Sequence, residues 1–288
     1  MEIRVLEYFV TAARLGNITR AAEKLYVSQP ALSAQFKSLE EELGCKLFKK
    51  ISSGIQLTAE GMLFLQRASN ILEMVSKTRN EFASLDGNPV GDIHIGCAES
   101  ASFKYVAEVA KIIQRRYPNI RYHIHSGNSE DLSYRLEKDL LDFYFTIQRV
   151  DLEVYNCLKI PAVETWGVIM RSEDILAQKN SVSVEDLTGL PLIMSREAMS
   201  EEYPAWFCDR LDKLNIAVTF NLVYNAAVMV RAGLGYLVSI GGIVDAADLT
   251  FRPLSPSLIR DVYFIWKRNN FLSAAAEIFL REMKNRYA

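Results

Sequence analysis

The sequence predicts an α+β protein in which an all-helical N-terminal part precedes a larger α/β part. Through about residue 85, apolar residues recur at three- and four-residue spacing, as at Leu6, Phe9 and Val10, which is typical of helices. Beyond residue 91, short apolar runs alternate with longer helical patterns. The turn-forming run DGNPVG at 86–91 separates the two patterns, so we expect the boundary between the parts there.

The larger part is predicted to hold parallel sheets. Strands are expected at 92–97, 121–126, 142–147, 165–170, 192–195, 217–223 and 236–240. Helices are expected at 100–117, 129–138, 203–214 and 226–232. Strands that alternate with helices of this length usually pair in parallel. This part is long for a single sheet of that kind, so we expect two lobes with a cleft between them.

A chain of 288 residues is long enough for two domains. We expect a head at 1–58, a linker helix at 59–87 and a body at 88–288. Within the body, lobe I is expected to comprise 88–161 together with 267–288, and lobe II to comprise 162–266.

The net charge of −2, with an isoelectric point near 6.0, argues against nucleic-acid binding only if the charge is spread evenly. It is not. Residues 14–37 hold four basic side chains and one acid, and residues 43–59 hold three basic side chains and no acid. An acidic run at 40–42 and an acidic body cancel this excess in the total, so the head is modestly basic.

The sequence predicts a cytoplasmic protein without a membrane partner. Its N-terminus lacks the charged-then-apolar pattern of a signal peptide, and its longest nearly uncharged stretch, 226–244, contains Arg231 and four glycines. The cysteines are far apart and form no CxxC pair; they are Cys45, Cys97, Cys157 and Cys208. We therefore expect neither a disulfide framework nor a zinc ribbon.

Residues 18–43 follow the plan of a helix-turn-helix. Ser28 is a good N-cap for the second helix, which has a proline in its first turn. Apolar residues at 32, 36, 39 and 43 would face inward, leaving an acid-free exposed face made of Gln29, Pro30, Ser33, Ala34 and Lys37. On that face Gln29 suits adenine, Ser33 can donate or accept, and Lys37 suits phosphate. The alternative is an ordinary solvated helix face.

A short two-stranded wing and a long helix are expected next. Residues 47–48 and 55–57 flank a Ser-Ser-Gly turn, and Thr58 caps a helix that extends to about residue 85. Apolar residues within that helix follow the alternating three-four spacing of a coiled coil, which predicts a dimerisation seam at Leu65, Leu72, Val75 and Phe82. The alternative is a helix packed on its own domain.

Several motifs closely resemble the LysR-type transcriptional regulators. Over the first 65 residues they include NITRAAEKL (17–25), VSQPALS (27–33), LEEELG (39–44) and LTAEG (57–61). Weaker matches follow at YPNI (117–120), SGNS (126–129), LDF (141–143) and VRAGLG (230–235). The resemblance implies a winged helix-turn-helix, a dimerising linker helix and a two-lobed α/β effector-binding domain similar to periplasmic binding proteins.

The resemblance also implies partners. They are double-stranded promoter DNA, a small-molecule effector in the cleft, and further copies of the chain in a homodimer or a homotetramer built from two dimers. RNA polymerase is a further candidate partner. Thr19 and Arg20, which lie in the matching helix-turn-helix motif, join the predicted DNA contacts. Neither a cofactor nor enzymatic activity is implied.

Two positions depart from the family pattern. The family commonly has arginine where this chain has Ala34, and arginine at the wing tip where it has Ser53. Serine cannot read a narrow minor groove through its negative potential as arginine does. We therefore expect Ser53 to contribute weak minor-groove contact, with Lys49 and Lys50 binding phosphate instead.

The effector is expected where strands of the body end. After the strand at 92–97, free backbone N–H groups and the hydroxyls of Ser100 and Ser102 would suit an anion, although simple helix capping explains them too. Glu99 would oppose an anion, which leaves the ligand charge open. The family resemblance implies that this loop and further residues of both lobes contact the effector. The predicted effector contacts are Ser100, Ala101, Ser102, Thr146, Gln148, Ser195, Arg196 and Asn225.

Two other chemistries were weighed. His123 and His125 lie two residues apart on a predicted strand, but without a third ligand in the sequence they are interpreted as ordinary strand histidines, and no metal site is predicted. Cys97 has no partner at a matching spacing for redox sensing. A solute-binding module and an enzyme are the rival classes; the head counts against the first, and no nucleophile–base pair supports the second.

Overall fold

The structure is a computed structural model that describes residues 1–51, 54–83, 90–148, 150–196, 199, 206–207, 214–244, 246–268 and 271–288. Ser53, Cys208 and most of the helix predicted at 203–214 lie outside these residues, as does the side chain of Phe82. Contacts divide the chain into two compact units, Met1–Phe82 and Ala83–Ala288. Residues 59–82 of the predicted linker helix thus belong by their contacts to the first unit.

The first unit is a winged helix-turn-helix. It contains α1 (Ile3–Leu15), α2 (Ile18–Lys24), α3 (Gln29–Leu43), β1 (Phe48–Ile51), β2 (Gly54–Leu57) and α4 (Ala59–Ala83). The helices begin where local signals place them, because the side chain of Asn17 caps α2 and that of Ser28 caps α3. Gly16 and Gly44 end α1 and α3 in the left-handed conformation that glycine adopts without strain.

The core of this unit is built around Phe9, which is fully buried. Its ring lies 4.9 Å from that of Phe48 in the wing and 4.8 Å from that of Phe64 in α4. Phe36 of α3 contacts it edge-on at 6.4 Å. One aromatic cluster therefore holds the helix-turn-helix, the wing and α4 together.

The apolar face of α4 differs from the predicted seam. Ala68 is fully buried, and Leu65 and Leu72 pack against the core of the first unit. The exposed large apolar side chains of α4 are instead Met62, Leu63 and Ile71 among the described ones. Leu65 and Leu72 are only partly buried by this packing, so the dimerisation seam stays a prediction.

The second unit is a mixed α/β structure. Its strands are β3 (Gly91–Cys97), β4 (Ile120–Ser126), β5 (Phe143–Thr146), β6 (Tyr155–Arg171), β7 (Pro191–Ser195), β8 (Asn215–Phe220), β9 (Tyr236–Ile240), β10 (Leu249–Pro253) and β11 (Ile259–Lys267). Its helices, among the described residues, are α5 (Lys104–Arg116), α6 (Ser129–Glu137), α7 (Val184–Leu187), α8 (Val223–Arg231) and α9 (Ala274–Tyr287).

Two parallel groups of strands are joined by antiparallel ones. β3 pairs in parallel with β4 and β5, and β7 pairs in parallel with β8 and β9. β6 runs through both groups and pairs antiparallel with β9, β10 and β11. The prediction of parallel pairing is therefore right for six strands and wrong for the strand predicted at 165–170, which lies in the antiparallel β6. The prediction also missed β10, β11 and the first half of β6.

Each group of strands has its own core, which defines two lobes. The first lobe packs Phe143, Phe264 and Phe279 around β3 and β5. The second packs Val168, Leu192 and their neighbours. The C-terminal helix α9 belongs to the first core, so the chain returns to the first lobe at its end. No helix in the described part of the chain has the length and apolar character that a membrane crossing requires.

Candidate functional site

The first candidate site is the exposed face of α3. Gln29, Pro30, Ala34 and Lys37 are exposed there, while Leu32, Phe36 and Leu39 of the same helix are buried. The Gln29 amide Nε2 donates to the Ser33 hydroxyl at 2.8 Å, so these two polar groups lie side by side. Lys37 lies 3.7 Å from Glu41, one turn further along.

Further exposed groups surround this helix. Thr19 and Arg20 are exposed at the start of α2, and Lys49 and Lys50 are exposed on β1. The turn before α3 presents Tyr26, which is 96% exposed with a φ of 56°. The sequence analysis missed Tyr26; an aromatic residue in the turn of a helix-turn-helix is the signal that could have found it.

Glu40 connects α3 to the wing. Its carboxylate accepts hydrogen bonds from the backbone N–H of Leu47 at 2.8 Å and of Phe48 at 3.3 Å, and from Lys46 Nζ at 2.6 Å. Partial burial raises the pKa of the Glu40 carboxyl, but these hydrogen bonds outweigh it, so the pKa lies below its usual value. Part of the acidic run at 40–42 therefore positions the wing.

The second candidate site is a cavity, partly open to solvent, between the two lobes of the second unit. The described residues that line it are Ala98, Glu99, Gly127, Ser129, Tyr144, Thr146, Ile147, Gln148, Trp166, Ser195, Phe220, Asn221, Val223, Ser239, Ile240 and Ile243. Most of this surface is apolar or aromatic, with a few hydroxyl and amide groups, which is typical of sites for small organic molecules.

Glu99, in the lining of the cavity, and the buried Glu164 are both hydrogen-bonded. Glu99 accepts a 2.5 Å hydrogen bond from the backbone N–H of Val223, the first residue of α8. The Ser100 hydroxyl donates to Glu164, which is 4% exposed, at 2.5 Å. Ser100 also accepts from the backbone N–H of Ser102, as a cap of the short helical turn that follows.

The structure separates the predicted effector residues into two sets. Thr146, Gln148 and Ser195 line the cavity. Five others are absent from its described lining: Ser100, Ala101, Ser102, Arg196 and Asn225. Arg196 and Asn225 are exposed. Ser100 caps the short helical turn that follows it, which is the alternative role that the sequence left open.

The aromatic part of the lining was not found from the sequence. Trp166 lies on β6 and Tyr144 on β5, and both are buried. Nothing local in the sequence distinguishes these side chains from core residues. Cys97 is buried nearby, and burial raises the pKa of its thiol, which opposes the reactive thiolate form.

Comparisons with known proteins agree with this geometry. Residues 3–62 match the family described as bacterial regulatory helix-turn-helix protein, lysR family, and residues 86–288 match the LysR substrate binding domain. The transcriptional activator CmpR of Synechocystis is 28% identical, covering 95% of this chain and 92% of that protein. The dual regulator OxyR of Escherichia coli is 30% identical, covering 67% of this chain and 63% of that protein.

Solved structures share the fold. CbnR, a LysR family transcriptional regulator crystallised with its target DNA, superposes with a TM-score of 0.75 over the whole of both chains at 20% identity. Full-length BenM gives a TM-score of 0.54 at 22% identity, covering 100% of this chain and 96% of that chain.

The head and the two-lobed body thus define a DNA-binding transcriptional regulator with a substrate-binding domain. The chain belongs to the LysR family of bacterial helix-turn-helix regulators. The family, the fold class and the regulator class that the sequence predicted are confirmed, and this family assignment identifies a regulator rather than an enzyme.

Proposed function

We propose that the chain reads promoter DNA with α3 and that a small organic molecule in the interlobe cavity controls this binding. The observation that carries the first half is the exposed, acid-free face of α3, where Gln29 and Ser33 lie together. Glutamine makes two hydrogen bonds to adenine, and a neighbouring hydroxyl can contact an adjacent base. Such a face fits the major groove of DNA.

Basic groups around α3 supply phosphate contacts. Arg20, Lys37, Lys49 and Lys50 are all exposed. With so few cations per head, affinity depends on several heads binding at once. We propose a homodimer, assembled through α4, and a homotetramer made of two dimers; in this arrangement RNA polymerase is a candidate contact for activation. A protein that reads bacterial promoters works in the cytoplasm.

The effector half of the proposal rests on the cavity lining. Aromatic walls at Tyr144 and Trp166, with the polar groups of Thr146, Gln148 and Ser195, suit a small organic molecule. Such a molecule controls DNA binding only if its affinity differs between two arrangements of the protein. No cofactor is needed for this mechanism.

The test is a binding titration with the DNA upstream of the chain's own gene. We expect the wild-type chain to bind at low salt and Gln29→Ala to weaken binding by about 5- to 150-fold, since a bidentate base contact contributes about 1–3 kcal/mol. Ser38→Ala, an exposed position on the same helix, is the matched control and should bind as the wild type does. A solute-binding module without gene control would instead show no retardation at low salt.

A further inference from the structure

The histidines of the chain are concentrated on one sheet surface. The sequence holds three, at 94, 123 and 125. His94 lies on β3 opposite His123 of the edge strand β4, and His125 lies opposite Gly96. Because alternate residues of a strand share a face, the three imidazoles lie on the face opposite to buried Ile93 and Ile95.

Two of these rings present nitrogen atoms to one point. His94 Nδ1 lies 3.2 Å from His125 Nε2, and neither ring is fully exposed. Two imidazole nitrogens bound to one zinc ion at about 2.0–2.1 Å, at a tetrahedral angle, stand roughly 3.3 Å apart. The separation observed is therefore close to that expected of two imidazoles that share one ion.

The third ring has a different position. His123 stacks on His94, with ring centroids 4.6 Å apart and an interplanar angle of 12°. Its Nε2 lies 3.2 Å from Asp92 Oδ1, which also accepts from Arg121 Nε at 2.8 Å. Asp92 thus holds His123 against the face of the His94 ring, where it limits the orientation of that ring and does not share the convergence point.

We propose that His94 and His125 form a binding site for a divalent transition metal ion of the kind that imidazole prefers, Zn²⁺ or Cu²⁺. The two side chains supply two ligands, and His123 is a positioning residue. An ion held in this way links β3 to the edge strand β4 and binds only the folded unit, so it also raises thermal stability. The sequence places His123 and His125 on one face of a strand; in the structure the parallel register sets His94 opposite His123, and the ring nitrogen close to His125 is that of His94.

The same distance also fits a neutral pair in which one imidazole donates to the other. A metal site takes up Zn²⁺ and a hydrogen-bonded pair does not, so metal uptake distinguishes the two cases. The full chain, stripped with a chelator, is titrated with Zn²⁺ against a chromogenic competitor. We expect a saturable site of one ion per chain, at least 10-fold weakened in His94→Gln and in His125→Gln. His123→Gln loses a ring contact and no ligand, so it should weaken the site less than either ligand variant does.

Zinc binding by the cysteines or by the chain terminus would be the same in the wild type and in the three variants. A difference in uptake among these four proteins therefore reports on the histidine site. Equal uptake by all four, or an equal loss in His123→Gln, would overturn the proposal. A second readout needs no variant: Zn²⁺ should shift the imidazole NMR signals of two histidines much more than those of the third. Equal small shifts of all three would also count against the site.

Discussion

The Glu99 carboxylate accepts a 2.5 Å hydrogen bond from the backbone N–H of Val223, a residue 124 positions further along the chain. Glu99 lies in the loop after β3, in the first lobe, and Val223 begins α8 in the second. The N-terminus of a helix carries a partial positive charge that a carboxylate stabilises. The sequence suggested that Glu99 would oppose an anionic ligand. In the structure its carboxylate instead links the two lobes across the cavity.

We expect Glu99→Gln to loosen this interlobe contact. A neutral amide replaces a charged acceptor whose hydrogen bond contributes about 1.5–3 kcal/mol, so the Val223 amide should exchange roughly 10- to 100-fold faster. Hydrogen exchange followed by mass spectrometry on a peptide spanning 220–226 measures this. Glu153→Gln, in an exposed turn, is the control. Unchanged exchange at Val223 would show that the contact does not hold the lobes.

The cap of α3 should support the stability of the head. The Ser28 hydroxyl accepts from the backbone N–H of Ala31 at 3.3 Å. We expect Ser28→Ala to lower the free energy of unfolding of the head by about 1 kcal/mol, because an N–H group at the helix start loses its partner. Urea unfolding measures the loss, and Ser28→Asn should restore most of it. Equal stability of the alanine variant and the wild type would contradict the prediction.

Glu40 should make the stability of the head depend on pH. Its pKa is lowered in the folded state, because hydrogen bonds from Lys46 and two backbone N–H groups outweigh the effect of burial. Its contribution is therefore fully present above the unfolded pKa, near 4.5, and is lost as the pH falls through the folded value. Glu40→Gln should cost about 1–3 kcal/mol at pH 7 and progressively less below pH 4.5.

Urea titrations at several pH values test this dependence. Glu41→Gln is the control, since Glu41 is exposed and lies 3.7 Å from Lys37. A cost of Glu40→Gln that stays constant down to pH 3 would exclude a titrating contribution from this carboxylate.

Gly61 should be intolerant of a side chain. A Cβ atom there would lie 2.1 Å from the carbonyl oxygen of Leu47, which belongs to the backbone just before the wing. We expect Gly61→Ala to destabilise the head by about 1–3 kcal/mol, because α4 must move away from the wing. Thermal unfolding compares it with Gln66→Ala, an exposed position on the same helix. If both variants unfold at the wild-type temperature, α4 and the wing are less closely packed than the structure indicates.

The sequence predicted the head well because its signals are local. Ser28, Pro30 and Gly44 mark the start, first turn and end of α3, which runs from Gln29 to Leu43 as expected. The body was predicted less completely. The first half of β6 and all of β11 pair with each other in antiparallel fashion, and the short-range pattern around them does not show which partner they have.

In the candidate cavity, too, the sequence predicted some residues and missed others. Thr146, Gln148 and Ser195, which the family resemblance implied, lie at or just beyond the ends of predicted strands, where ligands of α/β sheets bind. Trp166 and Tyr144 have the sequence pattern of core residues, and their position beside the cavity depends on how the lobes meet. Helical spacing likewise shows that the face with Leu65 and Leu72 is apolar without showing what covers it, and the dimerisation seam stays a prediction.

By itself, then, the sequence determined the order of domains, the helix-turn-helix with its caps and exposed face, and the family. Capping, turn formation and hydrophobic periodicity act over a few residues, so one stretch of chain is enough to specify them. Only the tertiary structure decided that Glu99 bonds to Val223, that His94 rather than His123 meets His125, and that Leu65 faces its own domain. These relationships join residues far apart in the chain, and strand register and core packing alone bring them together.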